Sequence, residues 1–184
     1  DHYFEYERNK IFCDKWTVIG VGSSIPKAGD AKPYNLLGIP LILIRDKDMK
    51  IRVFHNVCSH RGFKLLDKVC NLKNVIRCPY HSWSYDFKGN LVATPHIGGL
   101  NHHQSEKFDK AKSNLKEVRT KIWMDIIFVN LNSNEIDFEE YIKPLEERWS
   151  NFINKEDQKL IVNPNDYGYF SLEVKCNWKF AIEN

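Results

Sequence analysis

Cys58-Ser59-His60-Arg61-Gly62 and Cys78-Pro79-Tyr80-His81-Ser82-Trp83 are the two stretches around which the chain is organised. Each supplies one thiol and one imidazole. The first has Cys-x-His spacing and the second Cys-x-x-His, with seventeen residues between His60 and Cys78. Two such half-sites can close over one metal centre. Two Cys and two His also suit structural zinc, but zinc fingers usually pair Cys with Cys in one knuckle and His with His in the other. Here each knuckle is mixed. That suits a centre with two unlike irons, one held by both sulfurs and the other by both nitrogens. A [2Fe–2S] cluster in which two His replace two Cys on one iron is such a centre. A structural zinc site, or unconnected Cys and His, is the competing reading.

The surrounding sequence places both knuckles on loops at strand ends. Leu36 to Ile44 is rich in β-formers and split by Gly38 and Pro40, which predicts two strands meeting near Gly38. Asp46-Lys47-Asp48 is a turn into a strand over 50–56, and the first knuckle follows it directly. The second knuckle follows Val75-Ile76-Arg77 in the same way. His81 to Tyr85 and Leu91 to Ala93 form a hairpin around Lys88-Gly89-Asn90. Upstream, residues 1–14 predict a short helix and Trp16 to Val21 a strand. Downstream, 100–114 is a polar surface excursion, and its adjacent His102 and His103 point to opposite faces of an extended chain, a poor chelate. Leu115 to Thr120 and Ile122 to Leu131 predict two strands, the second re-entering the β-domain beside the cluster hairpins. Phe138 to Phe152 predicts a helix capped by Asp137, with Pro144 causing a kink or a split into two. Tyr167 to Lys175 alternates like a half-buried strand. Short strands separated by turns imply a mainly β fold, an antiparallel sandwich with flanking helices.

Composition narrows the class. A chain of 184 residues suffices for one sizeable core or a core plus a small lobe. The net charge of +3, with scattered lysines, gives no argument for a nucleic-acid partner. No apolar run approaches a membrane span, and no signal peptide is expected. Cys13, Cys70 and Cys176 are left over from the two knuckles, and free thiols favour a reducing, cytoplasmic location. Cys70 lies between the knuckles without a neighbouring His or a Cys-x-x-Cys partner, so it is expected to be an ordinary thiol.

The two knuckles resemble the cluster-binding motif of Rieske proteins, and more narrowly of Rieske non-haem iron oxygenases. The resemblance implies one [2Fe–2S] cluster, with Cys58 and Cys78 on one iron and His60 and His81 on the other. Each imidazole would leave its second ring nitrogen exposed as a handoff point for an electron. High-potential Rieske proteins carry an extra Cys in each knuckle and a Ser two residues after the second His. Here Tyr80 and Trp83 stand at the corresponding places of the second knuckle, which looks like the low-potential oxygenase and ferredoxin group. Arg61 after His60 also looks like the oxygenases, and Tyr80 and Trp83 are expected to shield the cluster from water. Cys176-Asn177-Trp178-Lys179, followed by Glu183-Asn184, resembles the segment that opens the catalytic domain of oxygenase large subunits, ahead of a mononuclear non-haem Fe(II) site.

By that resemblance, 1–37 is an N-terminal helix and strand starting the catalytic-domain scaffold, 38–134 is the Rieske domain, and 135–184 is a linker helix and the beginning of an α+β catalytic domain. The end inside a predicted helix is expected of a fragment, able to carry electrons but without hydroxylation activity of its own. The implied function is electron transfer from a ferredoxin or flavin reductase to an iron that activates O₂. The subunit would belong to a homo-oligomer of the trimer type, acting on aromatic rings or on quaternary ammonium compounds such as choline or betaine. A free-standing Rieske ferredoxin is the alternative, although such carriers are usually shorter.

Overall fold

The computed structural model describes residues 2–132, 137–152 and 172–183. Among these, ten strands form three antiparallel sheets. The middle sheet consists of β2 (Asp30–Leu36), β3 (Ile39–Arg45), β4 (Ile51–His55) and β5 (Cys70–Asn71), in the order β4-β3-β2-β5. On one side lies β1 (Thr17–Val21) with β9 (Arg119–Trp123) and β10 (Ile126–Asn130), in the order β1-β10-β9. On the other lie β6 (Ile76–Arg77), β7 (Ser84–Tyr85) and β8 (Leu91–Ala93), together with both knuckles.

β3 explains the layering. Leu41, Ile42, Leu43 and Ile44 are all buried, where a strand with one wet face would alternate. Leu41 and Leu43 enter one core with Ile19, Val53, Ile127 and Val129. Ile42 and Ile44 enter another with Phe54, Cys58, Cys78, Trp83 and Tyr85. The strand's period of two therefore feeds two cores from one run, each full burial stabilising the fold by about 1.5–3 kcal/mol. The knuckles hang on the second core, and their thiols are part of it. The β2–β3 hairpin turns at Leu37-Gly38, both with positive φ, so the 37/38 position falls inside a tight turn.

Several expectations are corrected. The run Ile122 to Leu131 is not one strand: it folds back at Met124-Asp125, whose φ values of 50° and 68° make a hairpin turn between β9 and β10. No Gly or Asn marks this turn. It is held from outside, by Gly22 N–H donating to the Asp125 carbonyl at 2.7 Å and Ser23 N–H donating to its carboxylate at 2.8 Å. Leu115 to Val118 precedes β9 and makes only an isolated bridge, Phe54 to Glu117. The hairpin pairs with β1, across the middle sheet from the cluster hairpins and not beside them. The strand predicted from His81 shortens to Ser84–Tyr85, because residues up to Trp83 close the second knuckle.

The helices also differ in detail. Residues 2–13 are helical as expected, α-helix α1 over His2–Glu7 and π-helix over Arg8–Cys13. Helix α2 (Phe138–Trp149) runs through Pro144 as one element. Pro144 and Glu140 both lie on the exposed face, where water can serve the Glu140 carbonyl that lacks an N–H partner. Asp137 caps α2 by accepting from Glu139 N–H at 3.0 Å, and Phe138 packs edge-on against Trp16 and Phe128. Leu172 to Lys175 is exposed and not a strand; residues 167–171 of that expectation lie outside the described residues. Helix α3 (Trp178–Glu183) returns to the N-terminal helix. The Trp178 indole N–H donates to Glu7 at 3.0 Å, Lys179 pairs with the same carboxylate, and Trp178 meets Phe12 edge-on.

Candidate metal centre

The two knuckles have one backbone design. Cys58 N–H donates to the Phe63 carbonyl at 2.8 Å, and Gly62 N–H donates back to the Cys58 carbonyl at 2.9 Å. Cys78 N–H donates to the Trp83 carbonyl at 2.8 Å, and Ser82 N–H donates back to the Cys78 carbonyl at 3.0 Å. Each is a six-residue loop closed by a reciprocal pair of bonds. Its fifth residue is left-handed, Gly62 at φ 69° and Ser82 at φ 58°. Glycine takes that conformation freely; Ser82 adopts it at a cost of roughly 1–2 kcal/mol, held by the loop closure.

Together the loops gather all four side chains singled out from the sequence. Cys58 and Cys78 are free thiols, each 2% exposed, and they lie against one another. Burial pushes the Cys58 thiol up, and the neighbouring Cys78 adds to the effect against an opposing bond from Tyr85. The His60 and His81 rings lie 4.9 Å apart at 68°. Burial, then the charges of His81 and Arg61, push His60 below the usual imidazole range. Among the described residues no three His, Cys, Asp or Glu side chains converge as a chelate for a single ion. The four sort instead into a sulfur pair and a nitrogen pair.

One atom carries particular weight. His81 Nδ1 is buried without a hydrogen-bond partner. A buried, unpaired ring nitrogen costs about 1–3 kcal/mol, so the site demands a partner that the protein itself does not supply. A metal ion on Nδ1 removes that cost, and two facing buried thiols, which give up their protons when they bind metal, complete the donor set of a mixed-ligand iron–sulfur centre. The residues present fit the group.

The support around the site was only partly foreseen. Trp83 is 3% exposed and stacks on His60 at 4.5 Å and 11°, with Phe108 edge-on behind it. Tyr80 covers His81 at a centroid distance of 3.7 Å but is itself 52% exposed, so it shields one ring face and not the whole site. Tyr85 was not singled out. It is fully buried, and its hydroxyl meets Cys58 Sγ at 3.2 Å, Ser59 N–H at 3.2 Å and Ser59 Oγ at 2.8 Å. Burial, and then the bond to Cys58, push its phenol above the usual range, so it stays protonated.

Asn56 was missed as well. It is fully buried, accepts from Leu65 N–H at 3.1 Å and Leu66 N–H at 2.9 Å, and donates to the Leu66 carbonyl at 2.7 Å. These bonds tie the exit of the first knuckle to the end of β4. The available signals were a Tyr on the strand leaving the second knuckle and an Asn two residues before the first.

An open cleft of about 640 Å³ exposes the imidazole side, lined by His60, Arg61, Arg77, His81, Trp83 and His96. The remaining thiols are not part of the site as expected: Cys70 is on β5 opposite Ala31, Cys13 ends the π-helix, and Cys176 is exposed. His102 and His103 lie exposed on the surface excursion, and His103 Nδ1 is used to accept from His96 N–H.

Residues 15–104 match the family model for the Rieske [2Fe-2S] domain. The chain therefore carries a Rieske domain, the kind that binds a [2Fe–2S] cluster. Its homologues are Rieske oxygenase alpha subunits. The carnitine monooxygenase oxygenase subunit of Acinetobacter pittii (strain PHEA-2) is 31% identical over 182 residues, 98% of this chain and 46% of that protein. The benzene 1,2-dioxygenase subunit alpha of Pseudomonas putida is 28% identical over 183 residues, 98% of this chain and 38% of that one. The apo form of the quaternary ammonium Rieske monooxygenase CntA superposes with a TM-score of 0.70 at 31% identity, covering 80% of this chain and 41% of that structure. The chain thus spans less than half the length of these relatives. Among the described residues no helix is long and apolar enough to cross a membrane.

Proposed function

We propose that Cys58 and Cys78 hold one iron of the cluster and His60 and His81 the other, with His81 bound through Nδ1. The observation that carries this is the unpartnered, buried His81 Nδ1 beside a pair of facing thiols in two loops of one design. When bound, the cluster supplies a one-electron redox step, and imidazole ligation raises its potential above that of an all-thiolate centre. The chain's own residues set the terms of that step. Trp83 fixes the His60 ring by stacking, and Asn56 holds the first loop shut. The Tyr85 hydroxyl donates to a thiolate sulfur, and the imidazole edges face the open cleft.

The domain would then act as the electron entry of an oxygenase, accepting from a ferredoxin or flavin reductase and passing the electron toward a mononuclear non-haem iron. Two features favour this over a free-standing ferredoxin. The relatives align over nearly the whole chain, well beyond the Rieske match, and α3 packs on the N-terminal helix instead of trailing free. On this reading residues 135–184 begin a second domain. The substrate is a quaternary ammonium compound or an aromatic ring, and the subunit works as a homo-oligomer in a reducing, cytoplasmic setting. Arg61 and Arg77 at the cleft suit an acidic partner. The test is to load the purified chain anaerobically with iron and sulfide. The expected product is a red-brown protein with one cluster per chain, reduced by one electron. His60→Ala or His81→Ala should lose it, and a colourless, zinc-retaining protein would overturn the proposal.

A further inference from the structure

Cys58 Sγ, Tyr85 Oη, Ser59 Oγ and the Ser113 carbonyl share two hydroxyl protons, and their geometry decides who receives them. Ser59 Oγ lies 2.5 Å from the Ser113 carbonyl and 2.8 Å from Tyr85 Oη. The carbonyl can only accept, and that contact is the shorter, so the Ser59 proton goes to Ser113. Ser59 Oγ is then an acceptor toward Tyr85. Tyr85 Oη already accepts from Ser59 N–H, and it has one proton for two acceptors, Ser59 Oγ at 2.8 Å and Cys58 Sγ at 3.2 Å. Tyr85 is fully buried, so no bulk water competes at its hydroxyl.

We propose that Ser59 is a tuning residue that holds the cluster potential down by competing with the Cys58 sulfur for the Tyr85 proton. A hydrogen bond to a ligating sulfur stabilises the more negative, reduced cluster and so raises its potential. Every share of the Tyr85 proton given to Ser59 Oγ is withdrawn from that bond. The Ser59–Ser113 bond keeps Ser59 in the accepting role, because it occupies the only proton with which Ser59 could act as a donor toward Tyr85. The exposed 3₁₀ turn Lys110–Ser113 is thereby connected to the cluster through two side chains. The inference rests on Cys58 being an iron ligand.

The test is the reduction potential of the cluster-loaded protein, measured by redox titration for four variants, with thermal melting to confirm equal folding. Ser59→Ala should shift the potential upward, since Cys58 Sγ becomes the sole acceptor. Ser59→Thr, which keeps the hydroxyl, should leave it at the wild-type value. Tyr85→Phe should shift it downward, and Ser59→Ala with Tyr85→Phe should equal Tyr85→Phe alone. No shift or a downward shift in Ser59→Ala, with Tyr85→Phe still lowering the potential, overturns the tuning role while leaving the ligand assignment standing. Potentials unmoved by both single variants, together with retention of the cluster in Cys58→Ala, overturn the ligand assignment itself.

Discussion

Removing the Asn56 side chain should open the first knuckle. Asn56 satisfies two buried or half-buried backbone N–H groups, at Leu65 and Leu66, and one carbonyl, at Leu66. Asn56→Ala leaves three backbone groups without partners in a region that also contributes Leu65 to the core. Each unsatisfied group costs about 1–3 kcal/mol, and water entering the vacated space recovers part of the loss, so the net penalty should be about 3–5 kcal/mol. That is a large fraction of the roughly 5–15 kcal/mol that stabilises a domain. Urea unfolding of wild type and variant, followed by tryptophan fluorescence and far-ultraviolet dichroism, should show a lower midpoint with little change in slope. Iron content after identical loading should fall in parallel, because His60 and Cys58 lie on the loop that Asn56 closes. A penalty under about 1 kcal/mol, with full iron content, would mean that the three bonds are made to no net effect and that Asn56 does not hold the knuckle shut.

Other perturbations follow from the same geometry. Gly89→Ala should destabilise by about 2–4 kcal/mol in thermal or urea melts. Its φ is +84°, and a Cβ there would lie 2.5 Å from the Phe54 ring, so left-handed strain and overpacking add. Stability should fall at acid pH partly through Asp46. Burial pushes its carboxyl up, but the bonds from Arg52 and from the Lys50 and Asp48 N–H groups outweigh that and hold it below the usual range. Its contribution is thus complete above about pH 4 and is lost as pH falls through the lowered folded value; Asp46→Asn should flatten that limb of a pH–stability profile. His81→Cys should keep a coloured cluster but move its potential down, from the range of about −150 to +300 mV toward about −400 mV, because a thiolate adds negative charge. A potential unchanged in that variant would count against imidazole ligation.

The convergence of the four side chains was legible because their chemistry sits in short, unusual local spacings. Mixed Cys/His knuckles are rare, and Cys58, His60, Cys78 and His81 do meet. The antiparallel layers were legible from the apolar run ending at Ile44, although only the structure reveals that β3 feeds two cores. The Met124-Asp125 turn was hidden because Met124 disfavours a left-handed backbone and a lone Asp125 inside an apolar run tolerates one without demanding it; contacts from Gly22 and Ser23, a hundred residues away, hold it there. Asn56, Ser59 and Tyr85 were hidden for a related reason. Their roles depend on which backbone groups and which sulfur the fold brings within 3.2 Å, and no periodicity encodes that. Pro144 misled in the opposite direction, since a missing N–H matters little on a solvated helix face.

The proposed ligation places two sulfurs on one iron and two imidazoles on the other. Pulsed electron paramagnetic resonance on the dithionite-reduced, cluster-loaded protein tests it most directly. Strong coupling of the unpaired electron to two histidine nitrogens is expected, reduced to one or abolished in His60→Cys and His81→Cys. A reduced cluster without nitrogen coupling, or with coupling unaffected by both substitutions, would contradict it.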